Sequence, residues 1–99
     1  MKTIWSIYLI RCADNSLYTG ITTDVERRFE VHRAGKGAKY LKTRRPFKLV
    51  FSQEVGDRSQ ASKLEYAIKQ LPKRKKEQLV RGEVDWLSLL SAQAADSED

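Results

Sequence analysis

The stretch IYLIRCADNSLYTGITTDVERRFEVH, residues 7–32, decides the fold. It reads as a strand over 4–11, a polar turn at Asp14, Asn15 and Ser16, a second strand over 17–22, and the start of a helix. The turn residues are those that tolerate left-handed backbone and hydrogen-bond their own main chain. At the helix start Thr23 and Glu26 have the spacing of a capping box, and Asp24 adds a negative charge that the helix dipole favours. The unit brings Tyr8 and Tyr18 toward a helical pair, Arg28 and His32. Strand side chains alternate between faces, so the two tyrosines share a face only if opposed residue numbers sum to an even number. A two-residue turn would set the phenols back to back. An odd loop is therefore expected, such as 14–16 with Ala13 opposite Leu17.

Outward from this unit, the first strand is apolar on both sides, with Trp5, Ile7 and Leu9 on one face and Ile4, Tyr8 and Ile10 on the other. A strand of that kind is central and covered twice. Gly20 interrupts the second strand, which marks either a bulge or the close approach of another group. The helix over 24–33 buries Val25 and Phe29, and Arg28 and His32 form a second i, i+4 pair displaced around it. Gly35 and Gly37 suit its C-terminal end. From residue 27 to residue 48, Arg27, Arg28, Arg33, Lys36, Lys39, Lys42, Arg44, Arg45 and Lys48 face a single acid, Glu30, and Tyr40 interrupts the loop. Such a run is commonly just a solvated face. Nine cations around a glycine-flanked loop favour phosphate contacts instead.

A third strand is expected over 46–53, with Pro46 at its first position and Phe47, Leu49 and Phe51 on one face. Residues 56–59 form a turn and cap. The helix over 60–71 carries one apolar stripe of Ala61, Leu64, Ile68 and Leu71. Glu65 stands at the edge of that stripe. Its partner is either Lys69 at i+4 or a metal ion. Pro72 opens a helix over 73–80, which carries a second basic cluster, Lys73, Arg74, Lys75 and Lys76, and Gly82 stops it. Residues 85–90 form a short apolar closing turn. Residues 1–90 read as one domain and 91–99 as an acidic, disordered tail.

Ninety-nine residues supply a single modest core. The net charge of +6 points to an anionic partner rather than to any fold. Cys12 is alone and fits a reducing, cytoplasmic setting as a small buried residue. Neither a membrane-spanning run nor a signal peptide is visible.

Ser6-Ile7-Tyr8 closing an apolar strand, Tyr18-Thr19-Gly20 ten residues later, Arg28 ten beyond that on a helix, and Glu65 on a later helix together resemble the GIY-YIG nuclease module. The likeness spans residues 4–76 and is nearest to the small stand-alone YhbQ-like branch of that family. Ser6 stands where the family has glycine and Thr19 where it has isoleucine. The polar residue, often Asn, that many members carry after the glutamate has no counterpart here.

The resemblance implies an α/β (α+β) fold, a three-stranded antiparallel sheet flanked by helices in one domain. It also implies metal-dependent hydrolysis of phosphodiester bonds in DNA. Tyr8, Tyr18, Arg28, His32 and Glu65 become the catalytic candidates, with Glu65 holding Mg²⁺ (or Mn²⁺). Arg28 is a planar cation suited to non-bridging phosphate oxygens. A free phenol has a pKa of about 10, so Tyr8 acts as a base only if a neighbour lowers it, or else it orients the water; Tyr18 shares either role. His32 is a base, a phosphate ligand or, as most lone helical histidines are, simply solvated. Arg27, Lys36, Lys39, Lys42, Arg44, Arg45, Lys73 and Arg74 are the candidates for holding DNA, with RNA as a second possible polymer. The alternative is a catalytically weak or inactive nucleic-acid-binding module of the same fold. A weaker one is a small protein whose basic surface meets an acidic partner.

Overall fold

A computed structural model describes residues 3–89; the tail expected over 91–99 lies outside them. The strands are Trp5–Arg11 (β1), Leu17–Thr22 (β2) and Lys48–Gly56 (β3), and the helices are Val25–Arg33 (α1), Lys39–Lys42 (α2), Arg58–Gln70 (α3) and Lys73–Val80 (α4). The sheet is antiparallel throughout, in the order β2-β1-β3. The doubly apolar β1 is therefore central, as its composition requires.

Tyr8 faces Gly20 and Ile10 faces Tyr18 across β1 and β2, so opposed numbers sum to an even total and the two phenols share a face. The loop is odd, but its residues are Ala13, Asp14 and Asn15, one earlier than expected. Cys12 N–H donates to Ser16 C=O (2.9 Å), Asn15 N–H donates to Cys12 C=O (2.9 Å), and Asn15 adopts a φ of +71°. Asparagine tolerates that left-handed state, so it closes the loop where another residue would be strained. The loop's acid is also engaged, since the Asp14 carboxylate accepts from the backbone and hydroxyl of Ser16.

The two faces of β1 bury different sets. Ile7 and Leu9 pack with Leu64 and Ile68 of α3 and Leu79 of α4, with Trp86 and Leu89 of the closing turn added. Tyr8 and Ile10 pack with Cys12 and Leu41, under Val25 and Phe29 of α1. The expectation that Phe47, Leu49 and Phe51 share a face fails. The register slips between Leu9 and Ile10, so Leu9 opposes Phe51 while Ile10 opposes Leu49. The extra residue, Val50, forms a bulge that turns Phe51 to the opposite face. Strand β3 also begins at Lys48, two residues beyond Pro46.

Helix starts differ from the sequence reading for one physical reason. The Asp24 carboxylate, not the Thr23 hydroxyl, accepts from the third backbone N–H of α1, at Arg27 (3.1 Å). The capping box lies instead at α3, where Asp57 accepts from Gln60 N–H (2.8 Å) and the Gln60 side chain accepts from Asp57 N–H (3.0 Å). A carboxylate accepts more strongly than a hydroxyl, so the aspartates set both boundaries. The basic loop is partly helical, since Leu41 is buried and pins α2 to the sheet. No helix among the described residues is long and apolar enough to cross a membrane.

Candidate functional site

The face of the sheet beneath α1 gathers three aromatic rings from three elements. Tyr8 comes from β1, Tyr18 from β2 and His32 from α1. Their centroids lie 6.4 Å (Tyr8–Tyr18), 6.0 Å (Tyr8–His32) and 5.7 Å (Tyr18–His32) apart. Tyr40 of α2 continues the group 5.9 Å from Tyr18. Arg28 lies one turn before His32 on α1, close enough for its charge to bear on both Tyr8 and His32.

His32 is not solvated. It is 1% exposed, and its Nε2 lies 3.0 Å from the Tyr8 hydroxyl. Its Nδ1 accepts from the Ala38 backbone N–H at 3.3 Å. An imidazole that accepts at Nδ1 carries its proton on Nε2, so His32 donates to the Tyr8 oxygen. Burial, and then the charge of Arg28, push the His32 pKa below its ordinary value, which keeps the ring neutral at pH 7. A neutral ring with both nitrogens engaged has no free lone pair. Its direct link to the rest of the site is the Tyr8 hydroxyl.

Two glycines make room for this pair. A Cβ at Gly20 would overlap the Tyr8 ring and hydroxyl, and one at Gly37 would overlap the His32 ring. Gly20 thus marks close approach, and the β1–β2 register across it is regular. The two glycines after α1 do different work. Gly35, at a φ of +78°, ends the helix, with its N–H on His32 C=O and Lys36 N–H on Val31 C=O. Gly37 admits the histidine.

The Tyr8 phenol is titrated by opposing influences. Burial raises its pKa above the ordinary value, the nearby Arg28 guanidinium pulls it back, and the charges of Tyr18 and Glu65 raise it. Glu65 thus bears on Tyr8 from α3, although α3 lies against the other face of β1. Its carboxylate is 3.3 Å from Lys69 Nζ, and its side chain is 24% exposed. Among the described residues no three His, Cys, Asp or Glu side chains converge on one point. Glu65 still fits a hard divalent ion as its single protein ligand. It is a partly open oxygen donor whose ion-pair partner is a long, half-exposed ammonium that is easily displaced.

The cationic candidates divide. Arg27, Lys36, Lys39 and Lys42 are exposed on the α1–α2 side of the sheet. Arg44 is committed internally, its guanidinium 3.7 Å above the Tyr40 ring, 2.9 Å from Tyr40 C=O and 3.2 Å from Asp14. Lys73 and Arg74 lie on α4, which packs on the opposite face of the sheet, and Lys73 pairs with Glu77 at 3.5 Å. The sequence reading did not find Ala38 or the packing role of Gly37. The only signal was their place six residues or fewer after the histidine.

Residues 4–78 match the model of the GIY-YIG catalytic domain. A UPF0213 protein of Cronobacter sakazakii is 59% identical over 88 residues, which is 89% of this chain and 93% of that protein. The UPF0213 protein YhbQ of Escherichia coli K12 is 58% identical over 90 residues, 91% of this chain and 90% of its own. Two solution NMR structures share the fold. The UPF0213 protein of Bacillus halodurans is 47% identical with a TM-score of 0.52, covering 79% of this chain and 83% of its own. A protein of E. faecalis is 38% identical with a TM-score of 0.58, covering 83% and 90%.

Proposed function

This chain belongs to the GIY-YIG family, and on that premise we propose that it is a metal-dependent endonuclease that hydrolyses phosphodiester bonds in DNA. The observation that carries the reading is the Tyr8–His32 hydrogen bond, with the histidine's tautomer fixed by Ala38. A buried phenol oxygen that already accepts one N–H keeps its own O–H for a second partner. It is held in orientation before substrate arrives, which removes reorganisation from the reaction step.

The roles follow from exposure and charge. Arg28 and Tyr18 are half-buried and meet the phosphate, Arg28 stabilising the charge that builds on its non-bridging oxygens. The attacking water is oriented by hydrogen bonds at the Tyr8–Tyr18 pair, and because burial keeps Tyr8 a neutral phenol the water's proton leaves to solvent. His32 positions Tyr8 by donating from Nε2, which leaves the phenol O–H free to point at the water. Glu65 would hold one Mg²⁺ or Mn²⁺, which when bound would supply charge neutralisation for the departing alkoxide. The exposed cations of the α1–α2 side and of α4 bind backbone phosphates without reading sequence.

The Glu65–Lys69 pair supports a second reading, a binding module that has lost turnover. Mg²⁺-titrated cleavage and thermal unfolding, measured on one preparation of Glu65→Gln, separate the two. The nuclease reading expects lower activity, partly recovered by more Mg²⁺, with folding intact. A destabilised protein whose cleavage keeps its normal Mg²⁺ dependence removes Glu65 as a ligand. Absence of cleavage by the parent protein at any Mg²⁺ concentration leaves the binding module.

A further inference from the structure

Helix α1 has a second working flank. Arg28 and His32 point to the tyrosines, while Phe29 and Arg33, each one residue on, lie about 100° further round the helix. There they meet the chain entering β3. A groove of about 740 Å³ runs between them, lined by Phe29, Arg33, Arg45, Pro46, Phe47 and Lys48. Phe29 and Phe47 stand edge to face with centroids 5.8 Å apart. A smaller hollow continues past Pro46, Phe47 and Lys48 toward Arg11 and Cys12.

The lining is three cations, two aromatic rings and a proline, with no acid among them. Arg45 and Lys48 make no ion pair among the described residues, and Arg33 has only an exposed one to Glu30 at 3.0 Å. Cations alone suit any phosphate backbone. Apolar rings between them suit a polymer that offers flat apolar faces at intervals along an anionic chain. A duplex stacks its bases inward and hides those faces, whereas a single strand presents them.

We propose that this groove holds a single-stranded segment of nucleic acid flanking the phosphate at the tyrosine site. The proposal deepens, and rests on, the nucleic-acid reading above. Helix α1 is the partition between the two, so their separation is roughly one helix diameter, about 10 Å. That distance places the groove a few nucleotides from the reacting phosphate along the same strand. The substrate class it specifies is single-stranded nucleic acid, or a junction with a single-stranded arm, rather than continuous duplex.

The test uses the whole chain, ¹⁵N-labelled and metal-free, titrated with a short oligothymidylate and separately with a duplex. Oligothymidylate is expected to shift the backbone amides of Phe29, Arg33, Phe47 and Lys48, and duplex is not. Phe47→Leu keeps an apolar side chain and removes the π face; it should weaken oligothymidylate binding about tenfold and leave duplex binding unmoved. Arg45→Ala with Lys48→Ala, both at exposed positions, should weaken the same binding and flatten its salt dependence.

Shifts confined to other residues, or equal losses for single strand and duplex in Phe47→Leu, would overturn the proposal. An acidic peptide that competes fully and shifts the same amides would overturn it as well. If Phe47→Leu unfolds, the titration of the parent chain still decides. Cleavage without groove shifts defeats this inference and leaves the nuclease standing. Groove binding with no cleavage of any substrate does the reverse.

Discussion

The two faces of β1 carry the same hydrophobic burden in opposite ways. The face of Ile7 and Leu9 is wholly apolar, closed by Leu64, Ile68 and Leu79, all 0–1% exposed. The face of Tyr8 and Ile10 is covered as completely, yet it contains a phenol and an imidazole bonded to each other, and two glycines with no room for a side chain. The first tolerates any filling of the right shape. The second tolerates only groups whose polar atoms pair, because an unpaired buried donor costs about 1–3 kcal/mol. One strand thus separates an apolar packing side from a side that buries paired polar groups, with Glu65 reaching in from the edge of α3.

The sharpest way to break this division is Tyr8→Phe. It removes one oxygen, preserves packing and strands the buried His32 Nε2–H. Under the proposed function the cleavage rate falls by about a hundredfold or more, as for loss of a positioned polar group, while the melting temperature drops modestly. Single-turnover cleavage and a thermal melt check both. A rate close to that of the parent would place the chemistry elsewhere.

The opposite face should answer in reverse. Leu64→Ala opens a cavity among fully buried residues and should cost about 3 kcal/mol in denaturant unfolding. Cleavage per folded molecule should stay unchanged. A rate loss beyond the unfolded fraction would show that the two faces are coupled.

The smallest effect distinguishes the faces by pH. Arg11 makes a two-pronged pair with Glu77, and this, with Lys73 adding to it, holds the Glu77 carboxyl down at about 2. A depressed carboxyl gives stability that is present above its unfolded pKa, near 4.5, and lost as pH falls toward 2. His32 is depressed too, but as a base. Its neutral form is favoured by folding, so its contribution is full above the unfolded value near 6.5 and declines as pH falls below it. Acid titration of stability should therefore show two windows. Glu77→Gln should remove the lower one, about 1–2 kcal/mol once solvent screening is allowed for, and leave the His32 window in place. Loss of both windows in Glu77→Gln would mean that the pair, and not His32, accounts for the decline below 6.5.

Much of this was legible from local pattern. The doubly apolar run 4–10 gave a central strand, the tyrosine parity gave an odd loop, and the spacing of Ala61, Leu64 and Ile68 gave the buried stripe of α3. Helix α4 has the limits that Pro72 and Gly82 suggested. Helix caps were misplaced at Thr23 because hydroxyl and carboxylate compete for the same backbone donors, and only the folded turn shows which of them reaches. The Val50 bulge was invisible because alternation predicts faces correctly only while the register holds.

What the residues alone determined, then, is which groups are available and at what phase along each element, since periodicities of 2 and 3.6 are fixed by backbone geometry. The fate of His32 was beyond their reach. Whether a histidine is solvated, basic or a buried donor depends on what occupies its two nitrogens. Here those partners are a phenol 24 residues before it and a backbone N–H six residues after it. The groove on the other flank of α1 is of the same kind, because Phe29 and Phe47 meet only after β3 has docked beside β1. Tertiary structure decided both, by bringing together groups whose energies depend on contacts that no local stretch of chain contains.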